Sequence, residues 1–473
     1  MAAAPFFWEE KLAASFPPSF VEFLRQNQVH PENYEVSEVP RYVRLAPRST
    51  LTQGELEKEL GGVEVSPVRW LPGYFSLPAS VKIAGSAAYR SGDLYGIDVA
   101  SGAAVAALGV RRGEHVLDVC CAPGAKLCAL ADALDGTGSV TGVDVSEERM
   151  FACRSICRKY RLQNVRLLVA DAVTFREPPP ELRAEQNGGE AYEAAVALDA
   201  CAGALDSSAP ALTKESDPCL DAELSCAQVL PLGRPPTSGS THESGGGTSA
   251  HKDPELCDSP NAATGGGRPA RQGVGPGRKG KRRRRTDDSE PMFIGTRICH
   301  SSSSTNRNGT GGAERPESST LASRPQLYDK VLVDAECTHD GSVKHLAKFS
   351  QWGWESFERR FLDPERLASL RELQYQLLRT GFSLLREGGS LVYSTCSFTI
   401  GQNEEVVSRL LREEPAATVV PVDCLAQAPC HPGGLKHTLR FDPRTSRTSA
   451  LFIAKIEKRR ERSDLQRGGD ECR

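Results

Sequence analysis

Cys337 and Cys396 each close an apolar run, in VLVDAEC (331–337) and SLVYSTC (390–396). Such runs read as buried strands of a parallel sheet, and the residues just past their ends lie on the edge where ligands bind. A single buried cysteine is most often an inert small hydrophobe. Two of them, on strands flanking a ligand loop, are harder to assign to packing. The loop is CCAPGAK, residues 120–126, after the run Val116–Cys120 and before a helix with an apolar stripe at Leu127, Leu130, Ala131 and Leu134. Pro123 and Gly124 allow the backbone to come close to a ligand over that helix's N-terminus. SVTGVD then ends at Asp144, about twenty residues on, where nucleotide-binding sheets hold a ribose hydroxyl pair. NVRLLVAD repeats the pattern with Asp171. One carboxylate of this kind is usually a cap or a turn residue, but two in register with the loop describe a nucleoside-like ligand across the top of an open sheet.

The elements that must position these groups follow in order. Residues 89–109 contain a helix capped by Asp98 or Ser101, leading into the loop. YEAAVALDAC (192–201) and YDKVLVDAEC (328–337) resemble two copies of one element. The second is assigned as the fourth strand, because it continues without a gap into a long helix at 363–386 and a strand at 389–394. Strands near 438–442 and 449–456 complete the sheet. Upstream, 17–28 reads as a short amphipathic helix, 40–48 as a strand carrying Arg41, Arg44 and Arg48, and 63–84 as strand pieces around Trp70 and Tyr74. Arginines beside Tyr and Trp suit RNA phosphates and unstacked bases, and equally a solvated strand face.

With 473 residues the chain can hold two to three domains. Its net charge of −3 announces no global basic field, so any nucleic-acid surface is local. The 15 cysteines form no disulfide framework or zinc pattern, which implies a reducing compartment and no metal. No stretch has the length and apolarity of a membrane span, and the N-terminus reads neither as a secretory segment nor as a mitochondrial presequence. Residues 201–325, rich in Ser, Gly, Pro and Arg, cannot bury enough apolar surface to fold and contain RKGKRRRR at 278–285, a nuclear-import or RNA-contacting patch. The organisation read from the sequence is an α+β, RNA-binding module at 1–84, a Rossmann-like α/β domain in two parts (85–200 and 326–456), a disordered insertion at 201–325, and a charged tail at 457–473. The expected protein is a monomer, nuclear or nucleolar, or else cytoplasmic, and not secreted.

CCAPGAK, GVD (142–144), VAD (169–171), VDAEC and YSTCSFTIGQNEEVV stand in family order, and on them the sequence resembles the Sun/Nop, or RsmB-type, family of S-adenosylmethionine-dependent RNA cytosine-5 methyltransferases. The resemblance covers about 85–200 and 326–456, with a weaker match in PRYVRLAPR. It implies a class I methyltransferase sheet, S-adenosylmethionine as cofactor and RNA, tRNA or rRNA, as substrate. It also implies roles. Carbon 5 of cytosine becomes nucleophilic only after a thiolate adds to carbon 6. By resemblance Cys396 is that nucleophile, Cys337 assists its release, and Asp334 holds the ring edge. The cofactor would lie along Cys120, Cys121, Ala122, Pro123, Gly124, Ala125 and Lys126, with Asp144 on the ribose, Asp171 near the adenine, and Asp334 close by.

Two departures carry expectations. Glu336 replaces a proline and THDGS replaces an S-G-x-G turn, so the loop should loosen and the carboxylate should raise the Cys337 thiol pKa. Ala125 replaces a glycine and fits only with a negative φ. A catalytically weak or inactive relative acting as an RNA-binding scaffold is the competing reading. DNA cytosine methylation would instead place its nucleophile in a Pro-Cys element, which does not follow the cofactor loop here.

Overall fold

The computed structural model describes residues 17–36, 38–180, 326–342 and 354–460. Both YEAAVALDAC and the basic run at 278–285 lie outside them. The small N-terminal sheet contains β1 (Arg41–Leu45), β2 (Ser66–Pro67), β3 (Tyr74–Leu77) and β4 (Leu94–Gly96) in the order β2-β3-β1-β4, with antiparallel pairing throughout. Because Leu94–Gly96 pairs with Val43–Leu45, this sheet closes at Gly96 rather than at residue 84.

The large sheet carries the site. Its parallel strands are β5 (His115–Asp118), β6 (Ser139–Asp144), β7 (Val165–Val169), β8 (Tyr328–Asp334) and β9 (Leu385–Thr395). Then come β10 (Ala417–Val419), β11 (His431–Pro432), β12 (Leu439–Phe441) and β13 (Leu451–Lys458), with β13 antiparallel to β9. The order is β11-β12-β13-β9-β8-β5-β6-β7, with β10 on β13. Chain order reverses at β5, between β6 on one side and β8 on the other, and the crevice at such a switch point is where open α/β sheets bind ligands. The α/β class and the assignment of Tyr328–Asp334 as the fourth strand agree with the sequence reading.

Side chains alternate between two cores, as a pleated strand requires. Val116, Val140, Leu332 and Val392 face one cluster with the helix Val99–Leu108, whose N-cap is Asp98, and the helix Ala125–Ala133. Leu117, Val143, Val331 and Val333 face the other, with Leu377 and Leu378 of the helix Pro364–Leu384.

The N-terminal elements are tied to this domain by charge as well as by apolar contact. The guanidinium of Arg44, buried, pairs with Asp132 of the helix after the loop and lies 4.2 Å over the Tyr95 ring. Arg48 donates to the carbonyls of Tyr160 at 2.8 Å and Gly92 at 2.9 Å. Arg44 is therefore withdrawn from RNA phosphates, contrary to the expectation for it, whereas Arg48 remains exposed; both fasten one module to the other. Removing one partner of a buried pair strands the other charge, so Arg44→Ala is expected to cost about 3–5 kcal/mol, read as a lowered unfolding midpoint in urea.

The helix Pro18–Gln26 also departs from the expected module. Phe20, Phe23 and Leu24 pack on Phe357, Phe361, Phe398 and Ala450, beside the loop after β9.

Candidate active site

The turn after β5 is shaped by close approach. Gly124 has φ +111°, and a Cβ there would meet Cys153 Sγ at 2.8 Å, so only glycine fits. Ala125 begins the following helix and, unlike its neighbour, does not have a positive φ, which meets the condition set for it. The Cys121 side chain points into the core beside Cys153, leaving only its backbone to the loop. Asp144 braces the turn: Oδ2 accepts from the Ala122 N–H at 3.2 Å and Oδ1 from the Ser146 N–H at 3.0 Å. Burial raises its pKa against the pull of Arg149. Asp171 is exposed, and its Oδ1 accepts from the Val173 N–H at 2.9 Å.

Lys126, on the first turn of the helix, joins the loop to β8. Its Nζ lies 2.8 Å from Asp334 Oδ2, while Asp334 Oδ1 accepts from Ser394 Oγ at 2.6 Å. Below them Asp118 is buried at the end of β5. Among the described residues neither of its oxygens has a well-formed hydrogen bond, the Cys120 N–H exerting only a weak pull. Burial, with the carboxylates of Asp334 and Asp144 nearby, pushes its pKa up to about 8, and Lys126 opposes this. The one sign of Asp118 in the sequence is a carboxylate inside the apolar run Val116–Cys120.

The two cysteines meet. Cys337 Sγ and Cys396 Sγ are 3.1 Å apart, and His339 Nδ1 lies 2.8 Å from Cys396 Sγ and 3.8 Å from Cys337 Sγ. Their loops are clamped by Asp340, buried, which accepts from Thr338 Oγ1, from Ser397 Oγ at 2.6 Å and from the Phe398 N–H at 2.7 Å. Gly341 permits the contact: its N–H donates to the Cys396 carbonyl at 3.1 Å, and a Cβ there would sit 2.4 Å from that oxygen. The residues of GQNEE support the same loop. Asn403 bonds Thr395 Oγ1 and the Ser397 carbonyl, Gln402 accepts from the Thr338 N–H, and Glu404 pairs with Arg440 at 2.6 Å.

Two thiols at this distance titrate as a unit. The first proton leaves more readily than from an ordinary thiol, since the thiolate receives a hydrogen bond from the other sulfur and faces His339; the second is held by that same hydrogen bond, then by burial and repulsion. Cys337 is the member driven down and Cys396 the member driven up, although the imidazole lies nearer Cys396. The expected rise at Cys337 from Glu336 is thus reversed. The Glu336 side chain is exposed to water, and its carbonyl accepts from Gln374 Nε2 at 2.7 Å, so the loop is held although the proline is gone.

A family model described as 16S rRNA methyltransferase RsmB/F matches residues 105–202 and 309–457, just over half of the chain. The chain belongs to this family. The RsmB/F match takes in the 120–126 loop, Asp144, Asp171, Asp334 and both cysteines. Ribosomal RNA small subunit methyltransferase F of Erwinia tasmaniensis is 31% identical over 136 residues, 28% of this chain and 26% of that protein. The mitochondrial tRNA (cytosine(34)-C(5))-methyltransferase of Mus musculus is 30% identical over 158 residues, 32% of this chain and 42% of that protein. The chain therefore covers less than half the length of either relative. The solved structure of NSun6 from Pyrococcus horikoshii with SFG aligns over 97% of this chain and 99% of its own, with a TM-score of 0.52 at 13% identity, a likeness of fold.

Proposed function

We propose that this RsmB/F-family protein transfers a methyl group from S-adenosylmethionine to carbon 5 of a cytosine in RNA. The observation that carries this reading is the pair of thiols 3.1 Å apart at the ends of β8 and β9, beside a salt-bridged Asp334. Cys396, as thiolate, adds to carbon 6 and turns the ring into an enamine. Asp334, fixed by Lys126 and Ser394, is oriented to hydrogen-bond the ring edge and favour the addition. Cys337 then helps the carbon 5 proton leave, which re-forms the ring double bond and expels Cys396.

The donor set suits the cofactor. Asp118 is a buried carboxyl with no strong partner among the described residues, and with Asp144 and Asp334 it lines the loop with three carboxyl groups that a bound cation draws into their charged form. A ligand bearing a sulfonium and an ammonium complements that charge, and when bound it supplies an electrophilic methyl group. Val145, exposed directly after Asp144, offers an apolar face to a purine. The relatives named above act on ribosomal and transfer RNA, which supports an RNA substrate and leaves both kinds as candidates. Nuclear import through residues 278–285 belongs to the same reading and rests on sequence alone. A scaffold that binds RNA without modifying it would have no use for two paired thiols.

The test is to incubate the protein with methyl-labelled S-adenosylmethionine and total tRNA or rRNA, digest to nucleosides and separate them. Label in 5-methylcytidine is the expected result. Label in another nucleoside, or in none, overturns the proposal.

A further inference from the structure

We propose that His339 is the general base that takes the proton from Cys396 before attack on carbon 6, a role that rests on the methyl-transfer reading and adds a third member to the pair of thiols. Three observations point to it. The imidazole Nδ1 is within hydrogen-bond distance of the nucleophile, 2.8 Å from Cys396 Sγ, and is 3.8 Å from Cys337 Sγ. His339 has φ +56°, a left-handed backbone that glycine adopts freely and a histidine adopts at a cost. Strain of this kind persists where the surroundings fix it, and it gathers at reacting centres. Finally, the residues on either side are fully engaged elsewhere. Thr338 is held by Gln402 and Asp340, while Asp340 is committed to Thr338, Ser397 and the Phe398 N–H, so the turn aims the imidazole at the sulfurs.

The step balances as follows. The proton on Cys396 Sγ turns from the Cys337 thiolate, 3.1 Å away, to His339 Nδ1, 2.8 Å away, and passes to it, giving an imidazolium, while the sulfur lone pair forms the bond to carbon 6. The carbon 5–carbon 6 π pair shifts to carbon 5 and takes the methyl group, whose former bonding pair stays on the cofactor sulfur. On release the carbon 5 proton passes to the Cys337 thiolate. Its bonding pair re-forms the double bond, the sulfur–carbon 6 pair returns to Cys396, the imidazolium returns its proton to that thiolate, and Cys337 gives up the carbon 5 proton to solvent, which restores the starting state. Among the described residues, the charged and titratable groups facing this centre are Cys337, Asp340 and Cys396, with Asp334, Lys126 and Tyr393 behind them.

The backbone conformation supplies the controls. Asparagine and glycine both tolerate a left-handed φ, so His339→Asn and His339→Gly should keep the turn while removing the titrating ring. In a Cys337→Ala background, where Cys396 titrates alone, iodoacetamide alkylation of the Cys396 peptide is followed by mass against pH. The expected result is a midpoint shifted upward by about one unit or more in both variants, with methyl transfer in the otherwise native protein lowered roughly a hundredfold. Added imidazole should restore methyl transfer to His339→Gly and leave His339→Asn unchanged. An unshifted alkylation profile, or a His339→Gly variant that imidazole does not rescue, overturns the proposal. Alkylation needs neither RNA nor cofactor, so it reads out His339 even if the wild-type protein methylates no RNA.

Discussion

Cys396→Ala is expected to lower methyl transfer by at least about a thousandfold, the scale on which removing a covalent nucleophile acts, and to form no covalent bond with RNA. Cys337→Ala is expected to do the opposite with RNA, accumulating a protein–RNA adduct that survives a denaturing gel. The asymmetry follows from the site. Cys337 holds the proton on Cys396 chiefly by accepting its hydrogen bond, with charge repulsion adding to this, so removing Cys337 lowers the Cys396 pKa and makes addition to carbon 6 easier. On the proposed mechanism what is lost is the base that completes release, and the adduct therefore waits. Incubating wild type and both variants with RNA and S-adenosylmethionine, then comparing the slow-migrating band, measures this directly. An adduct in Cys396→Ala and none in Cys337→Ala would exchange the two roles. The acidity of Cys337 makes that exchange the natural rival, so the gel decides more than presence or absence of activity.

Strands were legible in the sequence because apolar runs with a carboxylate or cysteine at one end have few alternatives in a parallel sheet, and β5, β6, β7, β8 and β9 all fall on runs read that way. The helix capped by Asp98 was equally plain, since an Asp before an apolar stretch has a local physical role that the Ala100 N–H fulfils. Arg44 was not legible. Its partner Asp132 lies 88 residues further along, and nothing local distinguishes an arginine that enters the interior from one that faces water. The helix Pro18–Gln26 was recognised as amphipathic, but the pattern cannot name the surface its apolar face meets, here the aromatic side chains around Phe357.

Within the candidate site, the two cysteines and Asp334 that the fold brings together stand out in the sequence, and their surroundings do not. Glu336 was expected to act on Cys337 because the two are adjacent, whereas the backbone turns its carboxylate out to water. In the sequence His339 is one letter of an altered turn, and its relevance appears only once a left-handed φ has brought the ring over both sulfurs. The Glu pair after STCS identified the family, yet its physical use, Glu404 holding Arg440 while Arg440 Nη1 donates to the Phe398 carbonyl, needs the tertiary fold.

Asp118 gives the second large effect. With its pKa pushed up to about 8, the folded protein without cofactor holds a proton there at neutral pH that the unfolded chain, with an ordinary Asp pKa of 3.8, has released. The folded value is raised, so this contribution to stability is complete below pH 3.8 and is lost as pH rises through about 8. A cationic cofactor favours the ionised carboxylate, so binding below pH 8 must expel the proton. Cofactor affinity should therefore rise with pH, by up to about tenfold per unit. Measured between pH 5 and 7, below the range where the ligand's own amino group titrates, wild type should gain up to about a hundredfold and Asp118→Asn only a few-fold. Calorimetry in two buffers of different ionisation enthalpy counts the proton: close to one released at pH 6 by wild type, none by the variant. The same slope in both proteins would mean that Asp118 keeps its charge state on binding, and that the carboxylate facing the cation is Asp334 or Asp144 instead.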